Sequence, residues 1–362
     1  MAVVAGRQSG TYANNSPITS GTTSKDVSNR EDLANFISMI TRDETPFMSS
    51  IGKTKATSIY HEWQTDTLEA PGDSRVAEGI DYVIPGQTLS PFDNPAQAAG
   101  DIGDDFANVG PNRTRLGNYC QINGKTMSVS GTRRVIDQAG VADEYAYQLK
   151  KRGTELKRDV EHDLIHSFNV ADGSGRRTMG GYQAWINDAA TVQYVAGSAP
   201  STPGTGRTAP TPNSGKGALS LSDVDEVMQK IYEEGGKANK IMVSPKLRRD
   251  FSDLMVTDNG VRRNLDEKGK LRQSVDVYMS DFGDLMVVPN YIMGLANTVS
   301  SVDVANYSAL IYDSQWFSIA TLRPLQEVDV AQRGDSTIGM MVEEFTLEVK
   351  NPVGCGAIYG LE

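Results

Sequence analysis

The segment EHDLIHSF, residues 161–168, is the part of the sequence that most resembles a catalytic signature. It places His162 and His166 one helical turn apart, with Asp163 between them. In many zinc proteases two histidines at this spacing bind the metal, and a glutamate between them takes a proton from the metal-bound water. Here the acid is one methylene shorter, and the only other histidine is His61. A zinc-dependent hydrolase using His162 and His166 is one hypothesis, and a third ligand is scarce.

The element that must position these histidines is a long helix predicted over residues 143–169. Its apolar residues form one stripe, made by Tyr145, Leu149, Leu156, Val160, Leu164 and Phe168. At about 100° per residue, His162 and His166 point away from that stripe and share a face with Glu155. The pattern predicts a solvated or intersubunit face, with the histidines contacting Glu155 or a neighbouring chain. The basic clusters 150–152 and 157–158 are interpreted as i,i+4 ion pairs on a solvated face.

Other strings that resemble functional motifs lack the residues that the chemistry needs. Asp281-Phe282-Gly283 copies a kinase motif without its companion loops, and a tight turn is the better interpretation. Residues 215–217, GKG, lack the further residues of a phosphate-binding loop. Cys120 and Cys355 are the only cysteines, and we expect free buried thiols rather than a disulfide framework or a structural zinc site. The sequence nominates no catalytic residue, no metal site and no cofactor.

The composition predicts a loop-rich protein with little affinity for nucleic acid. Only 38% of the residues are hydrophobic, and 35 glycines with 15 prolines predict long irregular segments. Lys plus Arg total 35 against 46 Asp plus Glu, a net charge of −11, so we expect only weak, non-specific contact with DNA. The N-terminus has no signal-peptide pattern and no long apolar run occurs. We therefore expect no membrane partner and an intracellular origin.

Two strands are predicted on either side of a long polar segment. Residues 58–66 and 115–122 have strand-like content, and the almost fifty residues between them are rich in Gly, Pro, Asp and Asn. Such a connection cannot build its own core, so we predict a two-stranded arm that something else must cover. Residues 1–27 predict a second arm, followed by a helix that begins at Ser28 and ends at Thr45-Pro46.

The rest of the chain predicts a mixed α/β region after a Pro/Gly/Ser/Thr tract at residues 197–217. A helix is predicted to begin at Ser222, a strand follows at KIMVSP, and a second helix begins at Pro245. Strands are then predicted in VDVYMS, DLMVVPN, YSALIYD and WFSIATL. The final strand, residues 342–351, alternates apolar with polar residues. This pattern predicts a half-buried strand with Glu344, Thr346 and Glu348 on its outer face.

Several apolar residues in the extended parts have no neighbours in sequence that could cover them. They are Trp63, Tyr82, Val83, Ile84, Leu89 and Phe92. We expect other copies of the same chain to cover them, and we place Glu155, His162 and His166 on the same intersubunit surface. Repeated interfaces of this kind are typical of a closed shell.

An ordered set of strings makes the chain resemble the major capsid proteins of tailed bacteriophages with the HK97-type fold, in the SU10-like family. The strings occur at residues 43–56, 61–79, 118–132, 155–164, 177–186, 280–290 and 343–358. They cover nearly the whole chain in the order of the family. The resemblance implies an α+β HK97-like capsid fold with an N-terminal arm (1–57) and an extended β-hairpin loop (58–118). It also implies a long spine helix and peripheral domain (119–218 with the C-terminal strand 336–362) and an axial domain (219–335).

The same resemblance implies a structural protein rather than an enzyme. Copies would self-assemble as hexamers and pentamers into an icosahedral shell around double-stranded DNA. The implied partners are a separate scaffolding protein, a portal and decoration proteins, with assembly in the host cytoplasm and final location in the virion. The alternatives are the zinc-dependent hydrolase, a phage tail or accessory protein, and a nanocompartment shell protein of the same fold.

Overall fold

The computed structural model describes residues 42–66, 113–136, 140–167, 176–186, 192–194, 217–257, 276–294, 308–331 and 334–361. Predictions for residues 1–41 and 67–112 therefore lie outside the described residues. None of the helices in the described ranges is long and apolar enough to cross a membrane.

Six α-helices and twelve β-strands make up this part of the chain. The helices are α1 (Pro46–Ser50), α2 (Gly131–Val135), α3 (Glu144–His166), α4 (Tyr182–Trp185), α5 (Leu221–Glu233) and α6 (Pro245–Thr257). The first strands are β1 (Gly52–Lys55), β2 (Tyr60–Thr65), β3 (Thr114–Tyr119), β4 (Gln121–Ser130), β5 (Val192–Tyr194) and β6 (Lys240–Val243). The remaining strands are β7 (Val277–Ser280), β8 (Gly283–Pro289), β9 (Ala309–Tyr312), β10 (Phe317–Val330), β11 (Ser336–Val349) and β12 (Gly356–Tyr359).

The predicted long helix is confirmed as α3, which has 23 residues. Its N-terminus is capped by Asp143, whose carboxylate accepts a hydrogen bond from the Tyr145 backbone N–H at 2.9 Å. Leu156, Val160 and Leu164 of the predicted stripe are buried against the rest of the protein. Apolar periodicity therefore placed both the helix and its core-facing side correctly.

A four-stranded sheet, in the order β1-β10-β11-β4, packs against α3. β11 lies inside the sheet, antiparallel to both β10 and β4. Phe345 and Leu347 share a core with Val160 and Leu164 of α3. The predicted strand is confirmed, but its half-exposed character is wrong, since Glu344, Thr346 and Glu348 are also buried. A central strand is covered on both faces, and its own alternation could not show what covers the second face.

Strands β2 and β3 form a separate antiparallel ribbon that runs from the pair Tyr60 and Tyr119 to the pair Thr65 and Thr114. This ribbon confirms the predicted pairing at the base of the extended loop. Upstream, most of the helix predicted to begin at Ser28 lies outside the described residues. Residues 42–45 are not helical, and a separate short helix, α1, begins at Pro46. Proline suits the first helical position, where its missing N–H would have no intrahelical partner.

A six-stranded sheet in the order β5-β12-β9-β6-β8-β7 contains the predicted α/β elements. The predicted helix α5 is confirmed, although Ser220 rather than Ser222 is its N-cap, because Ser220 forms a capping box with Asp223. Residues 281–282 form the predicted tight turn between β7 and β8, where Ser280 pairs with Gly283. Helices α5 and α6 share a hydrophobic core with one face of this sheet.

The largest core joins the two sheets to α1, α3 and α4. At its centre the ring of Phe47 meets Tyr312 at 5.3 Å, Phe317 at 5.6 Å and Tyr182 at 5.9 Å, all edge to face. Edge-to-face pairs of this kind stabilise a core beyond their buried area. The short helix α1 is therefore built into the middle of the molecule.

Candidate functional site

The C-terminal half of α3 contains a fully buried acidic residue, Glu161. Its side chain is 0% exposed. The carboxylate accepts hydrogen bonds from the backbone N–H groups of Phe47 at 2.8 Å and Met48 at 2.7 Å, at the start of α1. It also accepts from the side-chain amide of Asn290, after β8, at 2.8 Å. Glu161 thus joins α1, α3 and the end of β8.

Burial and hydrogen bonding act on Glu161 in opposite directions. Burial raises the pKa of its carboxyl, while the hydrogen bonds from Met48, Phe47 and Asn290 lower it, and burial has the larger effect. No Lys or Arg of the described chain forms an ion pair with this carboxylate. The three donors are neutral. The hydrogen-bonding capacity of the buried carboxyl group is therefore satisfied by the N-terminus of α1 and by one side-chain amide.

His166 is buried, with 5% of its surface exposed, so the predicted solvated face is wrong for this residue. Its ring stacks on that of His162, with centroids 4.5 Å apart and planes 8° from parallel. Burial, and next the His162 ring, lower the pKa of His166 to about 3. The chain also returns close to this end of α3, since the Gly181 backbone N–H donates to the Ser167 carbonyl at 2.6 Å. The helix wheel could not show that other parts of the chain bury this residue.

The histidine pair is not arranged as a metal site. His166 Nδ1 lies 3.2 Å from the His162 carbonyl oxygen, and His162 Nδ1 lies 3.4 Å from the Asp163 carboxylate. The other Asp163 oxygen accepts from the Gln121 and Asn123 amides at 2.7 Å each. Within the described ranges no group of three or more His, Cys, Asp or Glu residues is placed to hold a metal ion.

Glu155 has a partner other than the one predicted, and the remaining histidine lies beside a carboxylate. His61 Nε2 lies 3.6 Å from the Glu348 carboxylate in the four-stranded sheet. Glu155 pairs with Arg152 at 2.6 Å instead of contacting a histidine. The predicted contact between Glu155 and the histidines within one chain is therefore wrong. A contact with a neighbouring chain stays a prediction for Glu155, His162 and His166.

Trp63 is covered by its own chain, contrary to the expectation that other copies must cover it. It is 9% exposed, and its ring lies 5.5 Å from that of Trp185. The covering residue is more than a hundred positions away in sequence, which local pattern cannot reveal. Tyr82, Val83, Ile84, Leu89 and Phe92 lie outside the described residues, so their intersubunit role stays a prediction.

Asn118 anchors the end of β3 by hydrogen bonds. No sequence pattern had indicated this role. It is fully buried, and its amide donates to the carbonyls of Gly180 and Leu347, both at 2.9 Å. Its carbonyl oxygen accepts from the Gly180 N–H at 2.9 Å. These bonds attach β3 both to β11 and to the segment before α4.

A buried carboxylate with two arginines lies on the face of the four-stranded sheet away from α3. Glu344 accepts from Arg177 Nη2 at 2.6 Å and from Arg323 Nε at 2.8 Å, and its side chain is 5% exposed. Cys120 lies close enough for Glu344 to raise its thiol pKa, although burial is the larger cause, and the value reaches about 11. Both Cys120 and Cys355 are free and buried, as predicted.

The six-stranded sheet leaves an apolar surface uncovered at its β7 edge. Val277 is 45% exposed, Met279 76% and Met286 52%. Val277 and Met286 are direct cross-strand partners, and Met279 lies on the same face two residues along β7. The opposite face of this hairpin is buried, as shown by Tyr278 and Leu285. Strand alternation in β7 and β8 could have indicated this surface.

A family model described as SU10 major capsid protein matches residues 12–362 of the chain. The major capsid protein of Escherichia phage Phieco32 is 23% identical over 361 residues, covering 90% of this chain and 93% of the relative. The capsid structure of Cyanophage P-SCSP1u has a TM-score of 0.54 at 10% identity, covering 95% of this chain and 96% of that one. A structure from Mycobacterium phage Ogopogo has a TM-score of 0.56 at 9% identity, covering 93% and 99%. The fold is therefore that of HK97-type phage capsids.

Proposed function

The chain belongs to the SU10 major capsid protein family and is a phage capsid subunit, and from this premise we propose how it assembles. Copies form hexamers and pentamers, and these rings close into an icosahedral shell around double-stranded phage DNA. The observation that carries the proposal is the family match over residues 12–362, which spans nearly the whole chain. Closed shells of one chain need heterologous contacts that repeat around rings.

Two features of the described chain support contacts between copies. The surface made by Val277, Met279 and Met286 is apolar and uncovered on one chain. The ribbon of β2 and β3 ends at Thr65 and Thr114, between which the chain runs through 48 further residues. We propose that the apolar residues of that segment, together with Glu155, His162 and His166, contribute to contacts between subunits.

The proposed organisation follows the HK97-type plan. Residues 1–57 form the N-terminal arm, 58–118 the extended loop, 119–218 with 336–362 the spine helix and peripheral domain, and 219–335 the axial domain. Helix α3 is the proposed spine. The Glu161 hydrogen bonds attach the end of the proposed arm to α3 at Phe47 and Met48.

The proposed partners are other copies of the chain, a separate scaffolding protein, a portal and decoration proteins, with assembly in the host cytoplasm. The net charge of −11 supports weak, non-specific contact with packaged DNA. No enzymatic step is proposed. A nanocompartment shell of the same fold would build similar particles, and only the enclosed contents would distinguish it.

Electron microscopy of the protein expressed with its phage partners tests this proposal. We expect closed icosahedral particles with five-fold and six-fold rings, and DNA inside the mature ones. Particles that enclose protein cargo and no DNA would support the nanocompartment instead. Monomers or dimers that never form rings under any condition would overturn the assembly proposal.

A further inference from the structure

One edge of the four-stranded sheet is covered by a second strand over only part of its length. β1 pairs in parallel with β10 as far as Lys55, which lies opposite Thr321. The Ala56 backbone N–H then donates to the Thr321 carbonyl at 3.0 Å, and no described strand continues this pairing. The rest of β10, up to Val330, therefore pairs on one side only, with β11.

The open part of β10 is regular and partly apolar between Gln326 and Val330. Its pairing with β11 is irregular between residues 321 and 326, where Pro324 lies. From Gln326 onward the register is continuous, and Val328 and Val330 are 37% and 39% exposed. The outward N–H and C=O groups of this stretch have no strand partner in the described chain. An open edge of this kind is a template for another strand.

The two parts of this sheet edge carry opposite charges. All four residues of β1 are exposed, and two of them are Lys53 and Lys55. The open part of β10 contains Glu327 and Asp329. Glu327 is exposed and accepts a hydrogen bond from the Tyr145 hydroxyl at 2.5 Å. Between described residues, no ion pair within 4.0 Å involves Lys53, Lys55 or Glu327. These charges are available to another chain.

The lysines and Glu327 lie on the same face of the sheet. Lys53 is opposite Ile319, whose side chain belongs to the core that contains α3. Glu327 is opposite Met341, whose side chain also packs with α3. Lys55, two positions along β1, shares the face of Lys53. The opposite charges can therefore meet across a strand pair if two copies join with α3 on the same side of both sheets.

A two-fold rotation about an axis perpendicular to the sheet satisfies this condition. It reverses the strand direction and keeps α3 on the same side in both copies. β1 of each copy then lies beside the open part of the other copy's β10, as an antiparallel strand. The contact is isologous, because the same surface of each copy is used twice. Two-fold axes through the wall of an icosahedral shell relate subunits of neighbouring rings in this way.

We propose that β1 pairs with residues 326–330 of β10 in a second copy and so joins two four-stranded sheets into one continuous sheet. This inference rests on the proposed function, because it assigns the contact that joins neighbouring rings of the shell. Heterologous contacts build a ring, whereas this contact is two-fold and links one ring to the next.

Charge selects one register for the proposed strand pair. The register that places both lysines opposite acidic residues pairs Lys53 with Asp329, Thr54 with Val328 and Lys55 with Glu327. A slip of one residue in either direction places both lysines opposite uncharged residues. A slip of two residues keeps only one pair of opposite charges. Cross-strand ion pairs stabilise a strand pair, so the first register is favoured.

Disulfide formation in shells expressed with the phage partners tests this register. Thr54→Cys/Val328→Cys is oxidised and compared with Thr54→Cys/Val330→Cys, which is two residues out of register. Within one chain Thr54 pairs with Ala320, eight positions before Val328, which is about 26 Å at about 3.3 Å per residue. A disulfide needs Cα atoms within about 7 Å of each other, so this cross-link has to join two copies.

We expect covalent dimers on a denaturing gel from the in-register variant, several-fold more than from the out-of-register control. The native thiols of Cys120 and Cys355 are buried in both variants. A two-fold contact closes after two copies, so a ladder of larger species would indicate a head-to-tail contact and overturn the proposal. Equal yields in the two variants would also overturn it. Shells without dimers would assign the open edge to another occupant, such as a strand of a scaffolding protein, with the same consequence.

Charge reversal tests the proposed ion pair. Lys55→Glu alone and Glu327→Lys alone should each lower the yield of shells several-fold, and the double variant should restore it. Within one chain the partner of Lys55 lies six positions before Glu327, about 20 Å away. This distance exceeds the screening length of about 8 Å at physiological salt, so the rescue has to act between copies. Tyr145→Phe controls for the hydrogen bond that Glu327→Lys removes, and should assemble normally. A double variant that assembles no better than the single ones would overturn the proposal.

Failure of this inference can be told apart from failure of the proposed function. Wild-type chains that form DNA-filled shells, with no cross-link in the in-register variant, would refute only the two-fold contact. Wild-type protein that forms neither rings nor shells would refute the proposed function, and this contact with it.

Discussion

Glu161 and Glu344 are almost equally buried, at 0% and 4% exposed, but their charges are stabilised in different ways. Glu161 accepts hydrogen bonds from two backbone N–H groups and one amide, all neutral. Glu344 accepts from two guanidinium groups, and the side chains of Arg177 and Arg323 are 26% and 45% exposed. The donors of Glu161 are fixed in the fold, whereas those of Glu344 extend from the surface.

Because of this difference, we expect the loss of Glu344 to destabilise the fold less than the loss of Glu161. If Glu344 is removed, its arginines can turn toward water and recover their hydration. If Glu161 is removed, the N–H groups of Phe47 and Met48 stay inside the core without an acceptor. A carboxylate held by backbone donors is therefore expected to matter more to the fold than one held by ion pairs.

Glu161→Ala should have the largest effect. Three buried donors lose their acceptor at about 1–3 kcal/mol each, so we expect the free energy of unfolding to fall by about 3–5 kcal/mol. Urea unfolding of free subunits measures the change. Glu155→Ala, on the same helix with a partly exposed ion pair, is the control and should cost less than about 1 kcal/mol. If both variants lose a similar free energy of unfolding, the hydrogen bonds from the backbone donors do not stabilise the fold as proposed.

Glu344→Ala should have an intermediate effect of about 2 kcal/mol. Breaking a fully buried ion pair costs more, but the exposed ends of Arg177 and Arg323 allow both groups to rehydrate. The same urea unfolding measurement applies. The comparison between the two carboxylates fails if this variant loses as much stability as Glu161→Ala.

Acidification should destabilise the subunit through His166, a titratable group buried in the same half of α3 as Glu161. Its pKa is lowered to about 3 in the folded state, against an ordinary value of about 6.5 when unfolded. The unfolded state binds the proton first, so stability is complete above the unfolded pKa and falls as pH drops toward the folded one. Between pH 8 and pH 5 we expect this residue to account for a loss of about 2 kcal/mol.

His166→Asn tests this assignment, since an amide can still donate to the His162 carbonyl but does not titrate. When the free energy of unfolding of this variant is measured from pH 8 to pH 5, the decrease of about 2 kcal/mol that we assign to His166 should be absent. His162→Asn, at a partly exposed position, should keep it. An unchanged pH dependence in His166→Asn would show that the buried ring does not control acid stability.

The smallest effect is expected within the arginine pair. Arg323→Ala should cost about 0.5–1 kcal/mol, and Arg177→Ala should cost more, because Arg177 is less exposed and its pair with Glu344 is less screened. Thermal unfolding of the two variants side by side gives the order. The reverse order would show that exposure does not set the strength of these ion pairs.

The sequence predicted the elements better than the contacts between them. Helix α3 and the ribbon of β2 and β3 have local periodicity, and the structure confirms both. The partners of Glu161 are 113 to 129 residues away in sequence, so no local pattern signals them. The same applies to Asn118, whose partner carbonyls are 62 and 229 residues away.

The errors have a common physical cause. The wheel of α3 gave His166 an exposed position because no apolar residue of the helix shares its face. The alternation of β11 gave Glu344 a solvated position in the same way. In both cases another part of the chain covers the polar face, and for Glu344 it also supplies polar partners, Arg177 and Arg323. The family resemblance, by contrast, used ordered strings along the whole chain, and the match over residues 12–362 confirms it.

The most direct test of the whole account is the mass of the purified, assembled protein, measured by light scattering and analytical ultracentrifugation. Copies that tile into a container predict particles in the megadalton range, with five- and six-membered rings as the species on the way. A single subunit that stays monomeric at high protein concentration, with its scaffolding partner present, would contradict the account.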